Sequence, residues 1–272
     1  MSLATAITLS IAGSDSGGGA GIQADIKAIS ATGGYACTAV TALTAQNTLG
    51  VQGISAVPVE FVRAQIDSVF DDMAVRAIKI GMLSDAATIE CVATALEQHQ
   101  PEVVVLDPVM VASSGDLLLQ PEAVDALKAR LLPLADLLTP NLYEAQVLLD
   151  ERHRELPADE NAMAEMSQRL DGLGAKAVLL KGGHAAAEQS TDALCIDGQV
   201  QLFSGPRIDT RNTHGTGCSL SSAIASYSAQ GYSLTAAVEQ AKRYISAAIA
   251  AADLLDVGAG AGPVNHFFAL HS

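Results

Sequence analysis

The sequence predicts an α/β fold: a central, mostly parallel sheet with helices on both faces and a small β-hairpin element. Three observations carry this expectation. Short apolar runs rich in β-formers alternate with longer stretches of helical periodicity through most of the 272 residues, which is the rhythm of βαβ units. The run VVVLD at 103–107 is apolar up to its terminal aspartate, as strands buried on both faces of a parallel sheet are. DALCIDGQVQLF at 192–203 sets Asp-Gly between two apolar runs, the signal of a two-residue hairpin turn.

Taken in order, ITLSIAG (7–13) reads as a strand, followed by a Gly-rich turn and a helix that ends at Gly33-Gly34. YACTAVTAL (35–43) is a strand and GISAV (53–57) a shorter one. A helix starts at Pro58, with Val59, Val62, Ile66, Val69 and Phe70 on one face. RAIKIG (76–81) is a strand, 84–99 a helix, VVVLD the buried strand, and 121–132 a helix. DLLTP (136–140) is a strand and 142–149 a helix, after which the polar stretch DERHRELPADEN (150–161) is an exposed connection. A helix at 161–172 leads to the strand AVLLKGG (177–183), then the hairpin, then two long helices at about 217–230 and 233–255. With neither an internal repeat nor a low-complexity segment, residues 1–272 read as one large domain.

Composition narrows the function. Hydrophobic residues make up 49% and charged residues 17%, which is globular and argues against disorder. The net charge is −15 and no Lys/Arg cluster occurs, so the basic patch of a nucleic-acid binder is missing. That same acidity repels anionic substrates at long range, and a phosphate site must therefore be made locally from amides, a lysine or a metal. Cys37, Cys91, Cys195 and Cys218 lack paired spacing, which reads as reduced thiols of a cytoplasmic protein. The first positive charge is Lys27, so the apolar start reads as a buried strand and not as a signal peptide. No apolar run is long enough to span a membrane.

Five motifs fall at predicted strand or helix ends. AGSDSGGGAGIQAD (12–25) lacks the G-x-G-x-x-G spacing of a dinucleotide fingerprint, and no G-x-x-x-x-G-K-[ST] occurs anywhere. It leaves a turn where a ligand can approach backbone, with Asp25 either facing that ligand or serving as a first-turn helix carboxylate. In TALTAQNT (41–48), Gln46 and Asn47 can read the amino-nitrogen edge of a heterocycle, or simply make a polar turn. LDPVM (106–110) ends a strand with Asp107, and TPNLYE (139–144) puts Asn141 and Glu144 three apart at a helix start. These groups suit hydrated Mg²⁺, while Asn141 and Glu144 equally match a helix cap and its capping-box partner. In LLKGGH (179–184), Lys181 stands where it could neutralise transferring phosphate oxygens, or be a surface lysine at a strand end. NTHGTGCS (212–219) reads as a Gly-Thr-Gly turn opening a helix, so amides and the helix dipole converge on one anion site.

Together IAGSDSGGGAGIQADIKA, TALTAQNT, KIGML, LDPVM, TPNLYEA, LKGGH and NTHGTGCSLS, in this order, resemble the hydroxymethylpyrimidine/phosphomethylpyrimidine kinases of thiamine biosynthesis, members of the ribokinase-like superfamily. The resemblance runs from about residue 7 to GPVNHF near the C-terminus. It implies a ribokinase-like sheet and transfer of phosphate from ATP with Mg²⁺ to 4-amino-5-hydroxymethyl-2-methylpyrimidine, then to its monophosphate. It also implies a homodimer. By the same resemblance, Gln46 would hydrogen-bond the aminopyrimidine, with Asp25, Gly13, Met82 and Val109 completing the pocket. Asp107 and Glu144 would organise the metal with Asn141, and Asn141, Lys181, Gly183 and His214 would meet the nucleotide. Gly215, Thr216, Gly217 and Cys218 would form the anion hole.

Sugar kinases of the superfamily put an aspartate base where this chain has Cys218. At a helix N-terminus a thiol's pKa is expected to fall, which would let Cys218 accept the hydroxyl proton near neutral pH. His214 would line the second-phosphate site or only shape the turn, and AAAEQS (185–190) would be part of a mobile cover. Pyridoxal kinase chemistry on the same scaffold stays open, sugar phosphorylation fits the cysteine less well, and a pyrimidine-binding sensor without catalysis is the reading from another class.

Overall fold

Nine strands join in one sheet of order β3-β2-β1-β4-β5-β6-β7-β8-β9. The computed structural model describes residues 5–110, 121–183 and 189–270. The strands are β1 (Ile7–Asp15), β2 (Tyr35–Asn47), β3 (Gly50–Ala56), β4 (Val75–Ile80), β5 (Val103–Leu106), β6 (Leu137–Leu138), β7 (Ala177–Leu180), β8 (Gln189–Ile196) and β9 (Gln199–Pro206). From β2 through β7 every neighbouring pair is parallel. The two margins are antiparallel, β3 against β2 and β8 and β9 beyond β7.

Helices cover both faces, as expected for buried parallel strands. They are α1 (Gly21–Ala31), α2 (Val59–Phe70), α3 (Ala86–His99), α4 (Pro121–Ala126), α5 (Leu142–Leu148), α6 (Glu160–Asp171), α7 (Thr216–Ala229) and α8 (Leu234–Ala250). One core joins Val62, Ile66, Ile89, Val92, Leu142 and Leu170 to one face of the sheet. The other gathers Ala28, Ile224, Ala237, Ile245 and Ala248 on the opposite face. Helix α7 is the central element there: Ser219 through Ser226 are all buried, and small side chains let it lie close against β1, β4 and β5.

Several boundaries differ from expectation, each for a physical reason. The helix expected over 121–132 is α-helical only to Ala126, then widens into a π-turn over Leu127–Leu131 and a 3₁₀ turn over Leu132–Leu134. Pro133 lies inside that last turn; it has no N–H to donate and crowds the carbonyl four residues back. Strand β2 runs four residues past its expected end because Leu43–Asn47 pair with β3. Gln46 therefore lies on a strand and not in a free turn. In the β8–β9 hairpin, Asp197 and Gly198 both take positive φ, 50° and 74°, the backbone that Asp-Gly supplies to a type I′ turn.

Lys79 on β4 and Asp25 on α1 form an ion pair that is wholly inside the protein. Both side chains are 0% exposed, and Nζ lies 2.9 Å from each carboxylate oxygen. Ser10 of β1 (2.6 Å) and Ser222 of α7 (2.7 Å) donate to the same carboxylate. Four elements thus meet on one buried charge pair. Replacing one partner of such a pair leaves the other charge uncompensated. Lys79→Met should therefore lower the unfolding free energy by about 3–5 kcal/mol. Arg76→Met, which breaks the exposed Arg76–Glu102 pair, should cost under about 1 kcal/mol; urea denaturation of the two variants compares them directly.

Candidate active site

The C-terminal ends of the parallel strands bring the motifs together, where open α/β sheets place their ligands. Asp107 follows β5, Asn141 and Glu144 follow β6, Lys181 follows β7, and the first turn of α7 closes over them. Lys181 Nζ lies 2.7 Å from Asp107 Oδ1. Thr139 Oγ1 also donates to that oxygen at 3.0 Å, and Ser221 Oγ to Oδ2 at 3.3 Å. A methyl group on Gly217 would stand 3.2 Å from Lys181 Nζ and 3.8 Å from Asp107 Oδ2, so this turn faces the pair directly.

The turn itself depends on Gly215. Its φ is 79°, which favours glycine, and a side chain there would overlap the Gly19 carbonyl. Thr216 N bonds back to Thr213 O and Ser219 N to Gly215 O. The Gly217 and Cys218 amides between them make no hydrogen bond among the described residues, as the first N–H groups of a helix do before a cap or ligand meets them. Thr216 Oγ1 is turned back onto Thr213 O at 2.6 Å.

A second cluster lies at the ends of β1 and β2. Asp15, 2% exposed, accepts from the amides of Gly17, Gly19 and Ala20 at 2.8, 3.0 and 2.8 Å. His214 Nε2 meets the same carboxylate at 2.9 Å and lies 3.4 Å from the Gln46 carboxamide. Gly13 and Met82 touch, for a side chain on Gly13 would overlap the Met82 methyl, and Thr41 Oγ1 holds the Met82 carbonyl at 2.7 Å. Val109 is half-buried, its amide on the Asp107 carbonyl at 2.8 Å. Residues 258–266 cross behind both clusters: Gly262 O accepts from His214 N, Ala261 N donates to Thr48 O, and His266 meets Ser219 Oγ.

The family model for phosphomethylpyrimidine kinase matches residues 15–265. A hydroxymethylpyrimidine/phosphomethylpyrimidine kinase of Rhizobium meliloti is 54% identical over 265 residues, 97% of each chain. The chain belongs to the phosphomethylpyrimidine kinase family. Two solved structures share the fold. Bacillus subtilis pyridoxal kinase, solved as an ADP complex, has a TM-score of 0.89 at 34% identity, covering 98% of this chain and 99% of that one. Phosphomethylpyrimidine kinase of Clostridium difficile has 0.78 at 41%, covering 89% and 99%. The protein is thus a kinase with a ribokinase-like sheet.

Within the kinase, three expected roles meet different surroundings. Asp25 lies beneath the site and not on its wall: Lys79, Ser10 and Ser222 occupy its carboxylate, so it supports the site from below. Asn141 and Glu144 form a true capping box, with Glu144 N on Asn141 Oδ1 at 2.9 Å and Asn141 N on Glu144 Oε2 at 2.8 Å. His214 meets Asp15 and Gln46, at the ends of the first two strands. Gly183 is exposed beyond Lys181, while His184 and 185–188 of the expected cover lie outside the described residues. Gln189 and Ser190, also assigned to that cover, begin β8.

Cys218 requires a correction. Its thiol is pushed up to about 11, not down: burial dominates and the Asp25 and Asp107 charges add to it, outweighing Lys79 and the Gly21 amide. The helix N-terminus argument considered only the local dipole. Asp107 itself stays below the ordinary carboxylate range. Burial would raise it, but Lys181 and Lys79, with hydrogen bonds from Lys181 and Thr139, win. Burial lowers Lys181, yet the Asp107 and Glu144 charges carry it above its usual value.

Sequence reasoning passed over Asp15 and Lys79. The first had a signal, since aspartate two residues before glycine captures that amide in an Asx turn. The second was a lysine set between two isoleucines of β4, a residue type that is buried only when paired.

Glu144 rises to about 7, because burial and the Asp107 charge exceed the help from Lys181 and from the Asn141 and Met110 amides. A carboxyl that holds its proton more tightly when folded stabilises the fold below its unfolded pKa and loses that contribution as pH rises through its folded value. Between about pH 4.5 and 7 the nucleotide-free kinase should therefore lose on the order of 2–3 kcal/mol through this group alone. Glu144→Gln cannot ionise, so its unfolding free energy should gain on that of the wild type from pH 5 to pH 8. Parallel curves would show that Glu144 is not strained.

Proposed function

We propose that the protein transfers phosphate from ATP to the hydroxymethyl group of 4-amino-5-hydroxymethyl-2-methylpyrimidine, and then phosphorylates the monophosphate to the diphosphate in thiamine biosynthesis. One observation carries this reading: the unpaired amides of the α7 turn, Lys181 and Asp107 share one cradle, beside a second cluster built around Gln46. The cradle fits a transferring phosphoryl group, whose charge spreads over its oxygens and is stabilised chiefly by positioned donors. Lys181 neutralises that charge, and the Gly217 and Cys218 amides donate hydrogen bonds to the oxygens on which it develops. Gln46, with Gly13, Met82 and Val109, takes the ring.

Asp107 and Glu144 are the groups for Mg²⁺. Among the described residues no three His, Cys, Asp or Glu gather as a metal cage, which suits an ion that keeps its waters and leans on one or two carboxylates and the phosphates. The strained Glu144 fits the same role, since a dication beside two close carboxylates removes their conflict. When bound, Mg²⁺ held by Asp107 and Glu144 would offset the charge of the phosphate oxygens. Asn141 stays as the cap that holds Glu144 in place.

The pyrimidine hydroxyl oxygen attacks the γ-phosphorus, ADP leaves, and the hydroxyl proton must go to a base or to solvent. Cys218 Sγ is the base we assign, acting late, since a loose transition state makes little early demand on it. With a thiol near 11, its thiolate fraction grows about tenfold per pH unit through the neutral range. Wild-type kcat should therefore climb from pH 6 to 9, and Cys218→Ala should be slower by about 10²-fold with a flat profile. Equal profiles in the two enzymes would remove Cys218 from proton transfer.

The pyridoxal kinase likeness in fold is the observation behind a second reading, vitamin B6 alcohols as substrates. ATP turnover against the aminopyrimidine, its monophosphate, pyridoxine, pyridoxal and ribose separates the two. Turnover of the pyrimidine and its monophosphate is expected, whereas turnover of pyridoxine or pyridoxal alone would replace the substrate and keep the phosphate chemistry. We further read the kinase as one cytoplasmic domain acting as a homodimer; no helix among the described residues is long and apolar enough to cross a membrane.

A further inference from the structure

We infer that Thr44 and His214, the latter held by Asp15, fix which way round the Gln46 carboxamide lies, and that this orientation makes the pocket select a 4-amino over a 4-oxo pyrimidine. The inference rests on the reading that Gln46 faces the pyrimidine edge.

The protons available around Gln46 decide its orientation. Thr44, 9% exposed, lies 2.8 Å from the Ser14 carbonyl. A carbonyl can only accept, so the single hydroxyl proton of Thr44 is on Ser14. Toward Gln46, 3.2 Å away, Thr44 offers lone pairs alone. Asp15 is held below the ordinary carboxylate range: burial would raise it, but the His214 hydrogen bond and the Ala20 and Gly17 amides win. An ionised carboxylate accepts only, so His214 Nε2 carries its proton toward Asp15, 2.9 Å away. Toward Gln46, 3.4 Å away, His214 can therefore offer a shared N–H and no lone pair.

With Oε1 on Thr44 and Nε2 on His214, Gln46 would set acceptor against acceptor and donor against donor. Turned by half a revolution about its last bond, the same carboxamide donates to Thr44 and accepts from His214. The two ends of a carboxamide have nearly the same shape, so the hydrogen-bond network decides between them. Two independent neighbours choose the same orientation.

That orientation has a direction in the site. The oxygen end lies at His214, the residue before Gly215 and the anion turn; the nitrogen end lies at Thr44 on β2. In a 4-aminopyrimidine the exocyclic amino group stands next to the C5 hydroxymethyl, and ring N3 lies on its far side. When the hydroxymethyl points to the anion turn, the amino group meets the carboxamide oxygen and N3 meets the carboxamide N–H. A 4-oxo ring reverses both partners: its carbonyl would face Oε1 and its N3–H would face Nε2. Turning the ring over would restore the pairing but carry the hydroxyl away from the phosphate.

The test compares kcat/KM for 4-amino-5-hydroxymethyl-2-methylpyrimidine and its 4-oxo analogue in the wild type, Thr44→Val and Thr44→Ser. Wild type should prefer the amino compound by about 10²-fold or more, the scale of discrimination when buried donors and acceptors are mismatched. Thr44→Val keeps the shape and removes the acceptor. It should shrink that preference by about tenfold, through a higher KM for the amino ring and a lower one for the oxo ring, with kcat for the amino ring changed by less than about threefold. Thr44→Ser should restore the wild-type ratio, which a merely structural role for the methyl group would not. An unchanged ratio in Thr44→Val would overturn the inference while leaving the substrate reading intact. A wild type that phosphorylates neither pyrimidine would overturn the substrate reading, and the inference with it.

Discussion

An ammonium and a carboxylate cut off from water hold this site in place. Lys79 and Asp25 meet between β4 and α1, and hydroxyls from β1 and α7 complete the carboxylate's shell. Ser222 lies one helical turn after Cys218 on α7, so the contact that pins the helix to the sheet also fixes the height of its first turn. Such a pair offers little net stability against an apolar substitute. What it supplies is direction: an apolar contact can slide, whereas a charge with three fitted donors cannot. The amides of Gly217 and Cys218 inherit their aim from it.

Above that anchor the kinase concentrates charge of both signs in a small volume. Asp107 alters the proton affinity of Glu144, Lys181 and the Cys218 thiol, and Lys181 alters that of Asp107 and Glu144. The chain is acidic overall at −15, so long-range attraction cannot gather ATP. Any such attraction must be local, and Asp107 holds Lys181 Nζ at 2.7 Å where it would be needed. Before substrate arrives, the carboxylates strain against each other, and a bound cation would turn that repulsion into affinity.

Much of the fold was legible in the sequence. Strand and helix positions follow from local periodicity, and most boundaries fall within a residue or two of the expected ones because glycines and prolines mark them. The residues quoted at strand ends come to one edge for the same reason, since parallel topology sends every strand's C-terminus to the same side. Relations across sequence were not legible. Lys79 and Asp25 are 54 residues apart, and nothing local announces the pair. Cys218 was misjudged because the dipole of its own helix is a neighbour in sequence. The burial that dominates, and the Asp25 and Asp107 charges that add to it, arise from the packing of α1 and the end of β5 against that helix. For Gln46 a polar turn stayed open as the alternative, because its strand is extended only by pairing with β3.

The residues behind the site set an order of events. His214 is held through Gly262, Ser219 through His266, and the β2–β3 tip through Ala261. The first two contacts span nearly fifty residues and the third more than two hundred, and all three wait for the same late segment. A growing chain can lay down its sheet well before it can finish either the α7 turn or the Gln46 cluster, because both lean on this segment. Contacts of such long sequence separation form late, so a chain that stops short of this segment carries an unfinished α7 turn.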